Sequence, residues 1–83
     1  MKSEEFELLE QKPITYEELK QIQTWIKNLP KFENCKKEFT IECRKIAEIQ
    51  WDEKTKFVYY VRLASHDYDE DYEFQIIKQT ISI

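Results

Sequence analysis

Residues 56–64, Lys-Phe-Val-Tyr-Tyr-Val-Arg-Leu-Ala, are the one run in this chain whose two alternating faces are both largely apolar. Successive side chains of a strand point to opposite sides. Phe57, Tyr59, Val61 and Leu63 therefore share one face, and Val58, Tyr60 and Ala64, interrupted by Arg62, share the other. β-Branched and aromatic residues suit a pleated surface, and apolar side chains on both faces place this strand at the centre of a sheet. The remaining segments are read by how they would surround it.

Upstream, residues 1–5 are expected to fray, and residues 6–10 have the apolar content of a short strand that Pro13 closes. Thr15-Tyr16-Glu17-Glu18 matches a capping box: the Thr15 hydroxyl would accept from the third helical amide, and Glu18 would reach back to the Thr15 amide. Ile14 and Leu19 supply the accompanying staple. Leu19, Ile22, Ile26 and Leu29 follow at helical spacing, with Tyr16 and Trp25 beside them. The spacing predicts an amphipathic helix over residues 16–28, ended by Pro30. Residues 31–37 read as a polar connector with solvated lysines and no element of its own.

From Glu38 the period changes to two, with Phe39, Ile41, Cys43, Ala47, Ile49 and Trp51 on one side and Thr40, Glu42, Arg44, Glu48 and Gln50 on the other. Lys45 and Ile46 interrupt the alternation, and a β-bulge there would exchange the faces locally. Asp52-Glu53-Lys54-Thr55 contains no glycine, so a loop of four or more residues built on a type I turn is expected in place of a tight two-residue hairpin. A last strand runs from Tyr72 to Ile83, with Phe74 and Ile76 on one face and Ile77, Ile81 and Ile83 on the other.

The expected fold class is α+β. The elements order as β-α-β-β-β: an antiparallel meander of three strands, the N-terminal strand added at an edge, and the helix packed on one face. One helix covers one face, so the face bearing Val58, Tyr60 and Ile77 or Ile81 should meet water or a partner. The C-terminal strand, ending Ile81-Ser82-Ile83 without proline or a guarding charge, is expected to be an edge through which a homodimer could form.

At 83 residues, with 41% hydrophobic and 36% charged residues, there is room for a single small domain with a limited core. Glycine is absent. Phosphate-cradling loops, dinucleotide fingerprints and calcium loops each need a backbone that glycine adopts most readily, so cofactor-dependent nucleotide chemistry is not expected. Without a long apolar span or a charged-then-apolar leader, the chain reads as cytoplasmic, with no membrane partner. Its two cysteines are then reduced thiols, Cys43 in the core and Cys35 exposed, and neither reductant nor chelator should shift the melting temperature.

Constellations that suggest chemistry fail on geometry. Asp67, Asp69 and Asp71 have the opening spacing of a calcium loop, but Tyr72 stands where that loop needs glycine and Lys78 where it needs glutamate. Ser65-His66-Asp67 has the letters of a hydrolase triad, yet adjacent residues do not converge as nucleophile, base and orienter. Cys35, Cys43 and His66 lack the fourth ligand of a zinc site. His66 is read as a solvated loop residue. No catalytic residue, metal or cofactor is assigned, and the chain is read as not being an enzyme.

The charge map is more informative. Residues 1–30 carry four lysines against six glutamates, residues 31–63 eight cations against six acids, and residues 64–83 one lysine against five acids, within a net charge of -4. The basic middle contains Lys31, Lys36, Lys37, Arg44 and Lys45. With a pI near 5.0 and two arginines, direct nucleic-acid binding is disfavoured against a solvated face. Asp67, Tyr68, Asp69, Glu70, Asp71, Tyr72 and Glu73 put five carboxylates and two tyrosines into seven residues. The alternatives are a solubilising loop and a recognition surface, in which rigid tyrosines supply contact area and carboxylates steer toward a basic site.

No family motif is present; in style the chain resembles small acidic inhibitors of phage or plasmid origin. The expectation is a non-enzymatic protein of the immunity or anti-defence type, a nucleic-acid mimic in the sharpest version. It would dock on a larger protein with a basic surface through residues 67–73 and Tyr60. The alternatives are a nucleic-acid-binding module using residues 31–45 and a self-associating subunit using the C-terminal edge strand.

Overall fold

The capping box sets the start of the only helix among the described residues. The computed structural model describes residues 3–33, 35, 38–65 and 71–82. The Glu18 amide donates to Thr15 Oγ1 at 3.2 Å and the Thr15 amide donates to Glu18 Oε1 at 3.1 Å. Hydrogen bonding from the Thr15 backbone amide first, and from its side chain next, holds the Glu18 carboxyl below its ordinary value. The helix, α1 (Tyr16–Ile26), ends two residues earlier than the apolar spacing predicts. Its last turn holds no basic residue. A cation from elsewhere serves instead: the Arg44 guanidinium donates to the carbonyls of Leu29 at 3.1 Å and Lys27 at 3.4 Å.

Four strands flank it in sequence: β1 (Ser3–Ile14) before the helix, then β2 (Thr40–Gln50), β3 (Thr55–Ser65) and β4 (Tyr72–Ser82). They form one antiparallel sheet in the spatial order β1-β4-β3-β2, so the protein is an α+β domain of four strands and one short helix. β3 lies inside the sheet, paired on both sides. So does β4, because β1 takes its outer side from Ser82 to Tyr72. The expected C-terminal edge is therefore absent, and with it the surface on which a homodimer through that strand would rest. Nothing local in residues 72–82 records that a strand formed 58 to 79 residues earlier will claim their free side; the register is a long-range property.

β1 begins at Ser3 and passes through Pro13, longer at both ends than its apolar stretch implies. Proline is tolerated there because β1 is an edge strand, where a missing amide need not break a ladder. β2 carries a register shift between Lys45 and Ala47, where the broken alternation predicts a bulge. It splits the odd-numbered residues: Cys43 lies opposite Arg62, and Ala47 and Ile49 lie opposite Tyr59 and Phe57, which face the other way. The four-residue loop that follows is closed by the Trp51 amide donating to the Thr55 carbonyl at 3.0 Å and by the Lys54 amide donating to Asp52 Oδ1 at 2.8 Å.

On the helix-bearing face, Leu19 and Ile26 pack with Ile14, Val61 and Leu63, backed by Ile22, Leu29, Tyr72, Phe74 and Ile76. An eleven-residue helix is roughly 16 Å long whereas eleven strand residues span about 36 Å, so α1 covers about half of this face. Beyond it Trp51 tilts against Phe57 at 5.7 Å, and the Lys78 ammonium sits 4.3 Å from the Phe57 ring centre.

The second face is not open at its centre. After α1 the chain turns along β2, where the Lys45 amide donates to the Pro30 carbonyl at 2.9 Å and the Phe32 amide to the Cys43 carbonyl at 3.3 Å. It then folds over onto the second face, where the Phe32 ring lies 4.5 Å from Tyr60 and Cys35 is joined to Cys43 by a disulfide. Tyr60 is 0% exposed, and Val58 and Ile77 are buried with it. Loss of water pushes the Tyr60 hydroxyl above its ordinary value, against a smaller downward pull from Arg62. The reading of Cys35 as an exposed thiol is thus corrected: it is buried and bonded. Disulfides persist in oxidising surroundings and are rare in the cytosol, so the reduced, cytoplasmic setting does not follow from the cysteine count.

Arg62, the charge that interrupts the inner strand, is a buried tie. Its Nε donates to Thr40 Oγ1 at 2.6 Å, its Nη1 to Gln75 Oε1 at 2.8 Å, and its Nη2 to the Glu38 carbonyl. Three segments distant in sequence are held by one planar fork of donors. Gln79, fully buried on this face, has neither amide atom hydrogen-bonded among the described residues.

Candidate protein-binding site

The acidic and tyrosine segment is rooted at the end of the sheet where β3 and β4 meet. Asp67, Tyr68, Asp69 and Glu70 lie outside the described residues, as does His66, and the calcium-loop and triad readings fall there with them. Asp71 is exposed immediately before β4. Tyr72 and Glu73 belong to β4, and strand alternation sends them to opposite faces. Tyr72 points to the helix-bearing face and is half-buried against α1, whereas Glu73 is buried on the other face. Of the described members of the expected site, Asp71, Tyr72 and Glu73 line one depression, Glu73 being itself buried. Tyr60 is a core residue stacked on Phe32, which corrects its assignment to a partner surface.

The structure adds a residue in their place. β1 brings Ile14 opposite Tyr72, the capping box then turns the chain into α1, and Tyr16 lands with its ring centre 5.8 Å from that of Tyr72. Tyr16 is about half exposed, and Glu17, next to it in the first helical turn, is exposed. Lys20, one turn on, places its ammonium 5.2 Å from the Tyr16 ring centre and braces it. The result is a pair of tilted aromatic rings with Asp71 and Glu17 nearby. Beside it lies a depression lined by Gln11, Pro13, Ile14, Asp71, Tyr72 and Glu73, from the paired ends of β1 and β4. Tyr16 reads in sequence as one more helix residue. Its position directly after the capping threonine was the available signal, but its meaning depends on the β1–β4 register.

Of the three described cations of the basic segment, two are committed elsewhere. Lys36 and Lys37 lie outside the described residues, and Lys31 is exposed. Arg44 serves the helix end and also pairs with Glu42 at 2.8 Å. Lys45 pairs with Glu48 at 3.0 Å, and Lys56 reaches the same carboxylate at 2.8 Å. Hydrogen bonds from Lys56 and Lys45 bring Glu48 down to about 2. Cations already satisfied by internal carbonyls and carboxylates have less to offer phosphate groups.

Cys35 and Cys43 are bonded to each other, so their sulfurs are not thiolate ligands. Among the described residues no three His, Cys, Asp or Glu side chains converge as a metal site, and no helix is long and apolar enough to cross a membrane. A four-stranded antiparallel sheet with one short helix is the class these features define. No family model, curated protein or solved structure matches the chain.

Proposed function

We propose that this protein is not an enzyme and acts by docking on a larger protein with a basic surface, as an inhibitor of the immunity or anti-defence type. The observation that carries the reading is the Tyr16–Tyr72 pair, set at the root of the acidic segment beside Asp71 and Glu17. Tyrosines add rigid, amphipathic contact area with little entropy to lose, and carboxylates around them raise the rate of encounter with a cationic site. In this reading the segment of residues 67–71 presents negative charge where nucleic-acid phosphates would otherwise sit on the partner. The commitment of Arg44 and Lys45 to internal acceptors favours it over the nucleic-acid-binding alternative.

The test is kinetic. With a partner recovered by pull-down, Asp67→Asn, Asp69→Asn, Glu70→Gln and Asp71→Asn together should leave thermal unfolding unchanged yet slow association tenfold or more at low salt, on the order of the steering effect. The wild-type association rate should fall as ionic strength rises. Tyr16→Ala should act mainly on dissociation. Equal association rates for the neutralised and wild-type proteins would refute the proposal, and loss of nucleic-acid binding on changing Lys31 and Lys45 would favour the alternative.

A further inference from the structure

The outer side of β1 is open among the described residues. Among the described residues no backbone group pairs with it from outside, although it is the longest strand of the sheet. A register shift between Leu8 and Glu10 divides it, leaving residues 3–8 as an uninterrupted run paired with β4 from Ser82 to Ile77. Six residues make an ordinary strand length. That run holds no proline and no lysine, two of the usual guards of an exposed edge.

Its side chains sort by face. Glu5 and Glu7 lie opposite Thr80 and Lys78, on the face that carries α1. Glu4, Phe6 and Leu8 lie opposite Ile81, Gln79 and Ile77, on the other face, with Phe6 55% and Leu8 48% exposed. Cross-strand neighbours interact on each face separately, and like charges directly opposite are destabilising. The glutamates thus guard the edge against acidic strands, including a second copy of this chain, while leaving it open to a basic one.

We propose that residues 3–8 are a strand-addition site for an extended segment of a partner protein that alternates basic and apolar residues. The basic side chains lie beside Glu5 and Glu7, and the apolar ones beside Phe6 and Leu8. Main-chain hydrogen bonds to the open edge hold the segment, and the alternating side chains select it. Residues 3–8 pair with the end of β4 far from Tyr72, so this site stands apart from the Tyr16–Tyr72 end and does not rest on the function proposed for that end.

A soluble peptide of alternating lysine and valine, end-blocked and fluorescently labelled, is the probe. It should bind the full chain one-to-one in anisotropy titrations and slow hydrogen exchange at the β1 amides directed away from β4. The same peptide with its backbone amides N-methylated keeps its charge but cannot pair as a strand, and it should bind at least tenfold more weakly. Glu5→Gln with Glu7→Gln, both exposed positions, removes the charge without setting a lysine against Lys78 and should cost a similar factor while the melting temperature is retained. Equal binding by the methylated peptide would reduce the effect to charge attraction and overturn the proposal. So would protection confined to β2 or to the acidic segment. A dimer in sedimentation that Phe6→Lys dissolves would assign the edge to a second copy instead.

Discussion

The two edges of the sheet are finished in opposite ways. β2 is met by the chain's own connector, whose backbone bonds at residues 30–32 run beside it and whose Cys35 is bonded across to Cys43 on the far face. β1 is met by nothing among the described residues and carries glutamates in place of a cover. Around residues 43–45 the β2 edge is closed by covalent and main-chain links, whereas residues 3–8 of β1 are protected by charge. Charge is a selective guard, repelling some strands and inviting others, whereas a paired and cross-linked edge excludes them all.

The contrast can be broken most strongly at Arg62. Replacing it with alanine takes from Thr40 Oγ1, Gln75 Oε1 and the Glu38 carbonyl the hydrogen bonds that Arg62 donates, in a part-buried region. At about 1–3 kcal/mol for each group that loses its donor, the lower end applying where water reaches the acceptor, a loss of roughly 3–4 kcal/mol is expected in denaturant unfolding. Hydrogen exchange should quicken across the start of β2, where Arg62 ties it, before it changes in β1.

Reduction of Cys35–Cys43 comes next. The bond closes a loop of sequence separation 8, for which chain-entropy reasoning gives about 2–3 kcal/mol. Reductant should therefore lower the melting temperature by roughly ten degrees or more for a protein of this size. This reverses the outcome expected from free thiols. The Lys45 amide, bonded to the Pro30 carbonyl, should lose exchange protection, while the outward amides of β1 should exchange as before. An unchanged melt under reductant would remove the covalent half of the comparison.

The smallest effect is at Glu48, where β2 and β3 are clasped by Lys45 and Lys56. Its carboxyl is lowered from 4.5 to about 2 by the hydrogen bonds from Lys56 and Lys45, so the folded state holds its proton less tightly than the unfolded state. The contribution is complete above 4.5 and is lost as the pH falls toward about 2. Thermal melts between pH 6 and roughly 2 should show the wild type losing its small advantage over Glu48→Gln in that window, and added salt should shrink the difference further because the group is exposed.

What could be read in sequence was local. Thr15 and Glu18 announce the helix start because both partners of the reciprocal cap lie within one turn. Lys45 and Ile46 announce the bulge because a strand has a strict period of two, and one surplus residue is visible against it. The double-sided apolar run announces β3 as an inner strand, since neither of its faces suits water. The acidic segment was legible as composition, yet its neighbours were not. Tyr16 reaches Tyr72 through the pairing of β1 with β4, a contact between residues far apart in the chain.

Three features were decided only by the tertiary structure. Hydrophobic alternation says that a face is buried but not by what. The second face, read as open, is covered by Phe32 and Cys35 because the connector crosses β2 and brings them onto Tyr60. The cysteines, eight residues apart, read as thiols, but a bend in the connector puts their α-carbons 6.5 Å apart and they are bonded. And β4, unguarded in its own sequence, proved to be an inner strand while β1 became the edge. Capping, period and turn chemistry act between neighbours and are written in the residues themselves. Strand order and coverage depend on which distant surfaces meet, a choice made by the packing of the whole chain.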